Sequence, residues 1–144
     1  MWGAEEMREL LDGAFAPWVK ALGIAPVGIE GEAALFRLPC GPEVVRGGGG
    51  MRVLCGQAVA AAADTCSVLA LSARNGRYRN MTTVDLTTHF LRPVTEAAAE
   101  LRVEAVSNGR RMAVTRVELR GLAEDGAAGK LAATATVAFA YLED

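Results

Sequence analysis

Histidine occurs once in this chain, at His89, and cysteine three times, at Cys40, Cys55 and Cys66, with no C-x-x-C pair among them. So few nitrogen and thiolate donors, none at ligand spacing, argue against a zinc site. The odd cysteine count argues against a disulfide framework. If Cys55 and Cys66 share one helix they lie about 16 Å apart along its axis, beyond disulfide reach. A reduced, cytoplasmic protein is expected. Neither sign of charge dominates: 15 Lys and Arg stand against 17 Asp and Glu, a formal net charge of -2. No basic stripe offers itself to nucleic acid. The opening residues "MWGAEEMRELLDGAF" lack the basic and apolar regions of a signal peptide. The one long apolar run, Val53–Leu71, approaches the length of a membrane span. It contains Gln57, Asp64 and Ser67, however, and much of its bulk is alanine. A buried helix with no membrane contact is expected instead.

What is present is enough apolar material, 51% of 144 residues, for a single domain with a sizeable core. Residues 1–24 carry an amphipathic helix. Met7, Leu10, Leu11, Phe15, Trp18 and Val19 recur at helical spacing, with a break expected near Pro17. "IAPVGIEGEAALFRLP" reads as a strand or hairpin, and a Gly- and Pro-rich loop follows. The apolar helix is expected over residues 52–74, with "NGRYRN" as its stop. Residues 80–142 then alternate in four Val-, Thr- and Leu-rich segments separated by turn signals, which reads as an antiparallel four-strand meander. No linker or internal repeat interrupts them. A helix apolar on nearly all sides must be covered all round. One antiparallel sheet of five or six strands covers part of it, and a second copy of the chain covers the rest most economically. The expected class is α+β: the hot-dog fold, a curved sheet around a long central helix, completed by dimerisation.

At about 100° per residue, Gln57 and Asp64 lie within about 20° of each other on that helix. Ala60 and Ala61 fall between them, and Ser67 and Val68 continue the line. This narrow face, polar groups interleaved with methyls, leaves room for a ligand or another chain. At the helix start, Gly56 offers a backbone N–H at the positive end of the helix dipole, where it suits a carbonyl oxygen becoming an oxyanion. Gly56 and Asp64 are eight residues apart, about 12 Å along one helix. If both act on one carbonyl, they come from different subunits on antiparallel helices. The alternative for Asp64 is a carboxylate satisfied by neighbouring hydroxyls such as those of Thr65 or Ser67.

"LCGQAVAAAADTCSVLAL", then "MTTVDLTTHFLRPV" and "GRRMAVTRVEL…GKLAATATVAF", resemble the hot-dog acyl-CoA thioesterases of the phenylacetate-pathway and 4-hydroxybenzoyl-CoA thioesterase type. In that family a His-Gly-Gly triplet opens the central helix and a catalytic carboxylate follows eight residues after its first glycine. Gly56 and Asp64 stand at those two positions. Cys55 replaces the histidine and Gln57 the second glycine, and the family's upstream Asn has no counterpart in "PEVVRGGGG". The resemblance implies hydrolysis of an acyl-CoA, with Gly56 and Gln57 polarising the carbonyl and Asp64 acting as general base or nucleophile. It implies no cofactor beyond the coenzyme A of the substrate, and a homodimer paired into a dimer of dimers. Cys55, Ala60, Ser67 and Val68 are then expected to line the substrate site. His89 shares a strand face with Thr87 and Asp85, but Asp85 is about 13 Å away, too far to orient it; a structural or pocket-lining role is expected. Arg92, Arg110 and Arg111 fall at strand ends, where CoA phosphates can meet them. Two other activities fit the same scaffold: noncatalytic binding of an acyl-CoA or small ligand, and a hydratase or dehydratase pairing a carboxylate with His89.

Overall fold

A computed structural model describes residues 2–47 and 51–143. The N-terminal amphipathic segment forms α1 (Ala4–Ala14), which buries Met7 and Leu11. It stops where Phe15 turns extended, and Pro17, favoured in the first turn of a helix, opens the one-turn α2 (Pro17–Lys20). The expected break near Pro17 is present. β1 (Ala25–Glu30) and β2 (Ala33–Pro39) pair as an antiparallel hairpin, whose turn uses Gly31 at φ 62.

The apolar run forms α3 (Gly56–Asn75). It starts later than the expected residue 52 because the lead-in is held extended. The Leu54 N–H donates to Val94 O at 2.9 Å and the Cys55 N–H to Val44 O at 2.8 Å. Gly76, in the left-handed region at φ 72, ends the helix with its N–H bonded to Ala73 O. β3 (Met81–Phe90), β4 (Ala98–Asn108), β5 (Met112–Leu122) and β6 (Ala128–Tyr141) follow.

All pairings are antiparallel, in the order β1-β2-β4-β5-β6-β3. The expected four-strand meander is therefore corrected. β4, β5 and β6 are sequential neighbours, but β3 lies beyond β6 at the sheet edge. Tight turns hold β5 beside β4 and β6 beside β5, while β2 takes the other flank of β4 along Ala33–Pro39. β3 takes the free edge of β6. Residues 91–97 cross the end of the sheet, anchored by the Leu91 N–H to Ala132 O at one side and the Cys40 N–H to Ala97 O at the other.

One sheet face carries Phe36, Leu38, Leu101, Val103, Val117, Leu119, Val137 and Phe139, all buried. Against it lie the small and medium residues of α3, among them Ala58, Ala62, Cys66, Leu69 and Ala73. This is the hot-dog fold. The sheet covers one side of the helix; Gln57 is exposed and Ala60, Ala61, Asp64 and Val68 are half-buried on the other. β3, with exposed residues at eight of its ten positions, borders that open side. The three cysteines are free. Burial raises the Cys40 thiol to about 11 and pushes Cys66 well above its usual value, so both stay protonated and inert.

Candidate active site

Asp64 stands on the open side of α3, and its Oδ1 accepts a hydrogen bond from Thr83 Oγ1 at 2.6 Å. Thr83 reaches it because of a bulge. The β3–β6 register shifts between Thr83 and Asp85, so Thr83 pairs with buried Phe139 and faces the helix, while Asp85 pairs with Ala138 and faces away. Strict alternation along "MTTVD" puts Thr83 and Asp85 on one face, and only the bulge separates them. The hydroxyl partner of Asp64 is therefore a residue that sequence spacing gave no means of finding. It is neither Thr65 nor Ser67, both of which are buried.

The Ser67 hydroxyl shares a hydrogen bond of 2.7 Å with Thr115, which lies within 3.4 Å of Val137 O. This corrects the expectation for Ser67. It lies at the flank of the Gln57–Asp64 line, where the helix turns into the sheet, and it belongs to the core. Ala60, Ala61 and Val68 do share the open side with Gln57 and Asp64.

Cys55 caps α3 with an extended backbone and no side-chain hydrogen bond. Gly56 is the first helical residue, and its N–H meets no acceptor among the described residues. A Cβ at Gly56 stands 3.4 Å from the Phe90 ring, in van der Waals contact, so the end of β3 packs against the helix start with room for a side-chain carbon there. Beside them opens a cavity of about 430 Å³. Val53, Leu54, Val59, Phe90 and Pro93 give it apolar walls, and Arg46 and Arg92 both line it. Arg92, expected only as a strand-end arginine, lines this cavity beside the helix start. Arg46 enters from a Gly-rich stretch that carried no signal for it.

Arg110 and Arg111 do not join Arg92. They lie in the β4–β5 turn, where the carbonyl of Arg110 accepts from Arg79 Nη2 and that of Arg111 from the Tyr141 N–H. Tyr141 is in turn bonded to Asn75, the last residue of α3. The two groups are separated by the length of a 20-residue helix, about 30 Å. Within one protomer they cannot grip one diphosphate.

His89 is also corrected. It pairs with Thr134, as Thr87 pairs with Thr136, on the sheet face turned away from α3, and it is exposed. The two-residue period of the strand dictates this once Thr88 pairs with buried Ala135. No Asp64–His89 dyad forms within the protomer.

Gly56 and Asp64 are borne on one straight helix, eight residues apart, and so do not converge on a small group within this chain. No group of three or more His, Cys, Asp or Glu among the described residues could hold a metal ion. No described helix is long and apolar enough to cross a membrane.

A family model for the acyl-CoA thioesterase N-terminal domain matches residues 47–140. The fold is similar to that of a thioesterase from Haemophilus influenzae, with a TM-score of 0.81 and 21% identity over 99% of this chain and 92% of that one. It is similar to a conserved protein from Pseudomonas aeruginosa, with a TM-score of 0.76 and 27% identity over 94% and 98% of the two chains. A thioesterase family protein from Silicibacter pomeroyi gives a TM-score of 0.79 at 19% identity, covering 98% of each chain. No curated protein matches the sequence.

Proposed function

The chain belongs to the acyl-CoA thioesterase N-terminal domain family, and from that membership we propose that it hydrolyses the thioester of an acyl-CoA as a homodimer. The observation that carries the reading is the Asp64 carboxylate on the open side of α3, held by the Thr83 hydroxyl at 2.6 Å. A hydrogen bond to one oxygen fixes the carboxylate's orientation and leaves the other free to take a proton from water.

In the dimer, two α3 helices run antiparallel across a two-fold axis, so that Asp64 of one copy meets the helix start of the other. The Gly56 N–H, with the exposed amide of Gln57 beside it, polarises the thioester carbonyl. Water attacks the carbonyl carbon as Asp64 takes its proton, and the oxygen becomes an oxyanion held at the helix N-terminus. Collapse of the tetrahedral intermediate breaks the C–S bond. The thiolate of CoA leaves and takes up the proton, and the acyl group departs as a carboxylic acid. Direct attack by Asp64, through a mixed anhydride, reaches the same products. Neither route calls on a cofactor. Cys55, Ala60 and Val68 border the bound thioester, and the eight-residue spacing from Gly56 to Asp64 supports the phenylacetate-pathway and 4-hydroxybenzoyl-CoA type within the family. Two dimers pair further into a tetramer. Three free thiols suit a reducing cytoplasm.

The noncatalytic alternative draws on Cys55 and Gln57, which replace two members of the family's triplet. Thiol release from aromatic, medium-chain and branched acyl-CoAs, with Asp64→Asn beside the wild type, separates the two. Hydrolysis predicts wild-type turnover that falls at least about a hundredfold in the variant, with folding intact. Saturable binding without thiol release across the panel leaves a binding protein.

A further inference from the structure

We propose that Arg46 and Arg92 form an anion subsite in the cavity beside Gly56, and that it reads a carboxylate at the far end of the acyl group. The preferred substrate is then a short ω-carboxyacyl thioester. The proposal rests on the thioester-hydrolase reading and adds the substrate class to it.

The cavity has about 430 Å³ of space, two guanidinium-bearing residues on its lining and no carboxylate. Elsewhere eight arginines are satisfied. Arg74, Arg77, Arg79, Arg102 and Arg116 pair with glutamates, and Arg8, Arg52 and Arg120 donate to backbone carbonyls. Among the described residues, the side chains of Arg37, Arg46, Arg92, Arg110 and Arg111 take part in neither kind of contact, and of these Arg46 and Arg92 are the two that line this cavity. Both start from anchored backbone: the Arg46 N–H donates to Val53 O at 2.9 Å and the Arg92 N–H to Ala132 O at 3.2 Å. Both arginines are exposed in the single chain, where solvent screens each charge, so what they offer an anion is two guanidinium groups on the lining of one cavity. The guanidinium fork matches a carboxylate or phosphate geometrically.

Position decides between an acyl carboxylate and a CoA phosphate. A compact space of about 430 Å³ is roughly 9 Å across. With the thioester carbonyl at the Gly56 N–H, an anion in the same cavity lies within that distance of it. The extended pantetheine arm holds the CoA diphosphate further from its thioester than the cavity is wide. A carboxylate a few methylenes beyond the carbonyl lies within reach, its chain running along Val53, Leu54, Val59 and Phe90.

The test compares glutaryl-CoA with pentanoyl-CoA, matched in length, and the same two acyl groups as phosphate-free N-acetylcysteamine thioesters, in wild type, Arg46→Gln and Arg92→Gln. The expected wild-type preference, read as the ratio of kcat/KM values, is about tenfold or more for glutaryl over pentanoyl. Either substitution lowers that ratio about tenfold, in the CoA and the cysteamine series alike. A wild-type ratio near one overturns the proposal. So do substitutions that slow both CoA esters equally and neither cysteamine ester, since the arginines then hold CoA phosphate. If no thioester is cleaved at all, the hydrolase reading fails separately. Calorimetric binding of the two acyl-CoAs then judges the subsite by the same ratio: retained preference supports it and equal affinity overturns it.

Discussion

At the residue scale the proposed chemistry turns on how one carboxylate is held. Asp64 stands out in the sequence as the lone charge inside an apolar run, so a candidate site was legible there before any geometry. Its partner was not. Thr83 is brought to the helix by the shift in register between Thr83 and Asp85, and nothing in the alternation of "MTTVDLTTHF" marks where a bulge falls. In the proposed mechanism Thr83 acts through Asp64, as a positioning residue. Thr83→Val is expected to lower kcat about tenfold with little change in KM, because one charge-assisted hydrogen bond is lost while the binding surface remains. Thr83→Ser, which keeps the hydroxyl, restores most of the rate. Thr83 is exposed, so the fold tolerates both changes, and steady-state kinetics beside thermal melts checks the split. A parallel rise in KM in both variants, with kcat held, sinks the positioning role. Ser67 shows the opposite limit of sequence reading. A helical wheel places it within reach of the Asp64 face, yet a hydroxyl on the neighbouring sheet claims it.

At the element scale, α3 was read almost whole, and its edges show what periodicity carries and what it does not. The apolar pattern continues through residues 52–55, but backbone bonds from Leu54 and Cys55 to distant partners hold that stretch extended. Long-range contacts of this kind override local propensity at the helix start. The other end is governed locally. Gly76 takes a left-handed conformation at φ 72, and a Cβ there meets nothing within 4 Å. The cost of Gly76→Ala is then purely conformational, about 1 kcal/mol, and denaturant unfolding is expected to show a lower midpoint at unchanged slope. Strand β3 was legible as a strand and illegible as a neighbour. Alternation fixes which residues share a face, but it carries nothing about pairing partners. The difference between "SNGRR", which closes a tight turn, and the longer "LRPVTE", which crosses the sheet end, is visible only once β2 is seen to occupy the flank of β4.

At the scale of the whole molecule, the lone chain leaves two features unmatched, and they adjoin one another. β3 exposes Val84, Leu86 and Phe90 at an edge, with relative exposures of 52%, 37% and 58%, and α3 bears its carboxylate about 12 Å along the axis from its free N–H. The proposed two-fold axis beside them answers both. In the proposed dimer, edge strands and helix faces are covered, and each carboxylate meets the other copy's helix start in two equivalent sites. This arrangement predicts a result that a site contained within one chain does not. Gly56 is the first residue of α3, where proline is well tolerated, and Cys55 before it is already extended at φ -75, ψ 150, as a residue preceding proline requires. Gly56→Pro therefore removes the N–H while keeping the helix, and Asp64→Asn removes the carboxylate. Each variant alone is expected to be nearly inactive. After the two are unfolded together and refolded in equal amounts, about half the dimers are mixed, and each mixed dimer has one site with both defects and one with neither. Activity should return to about a quarter of the wild-type value. If both groups served the same site from one chain, every site in the mixture would keep one defect, and no activity would return.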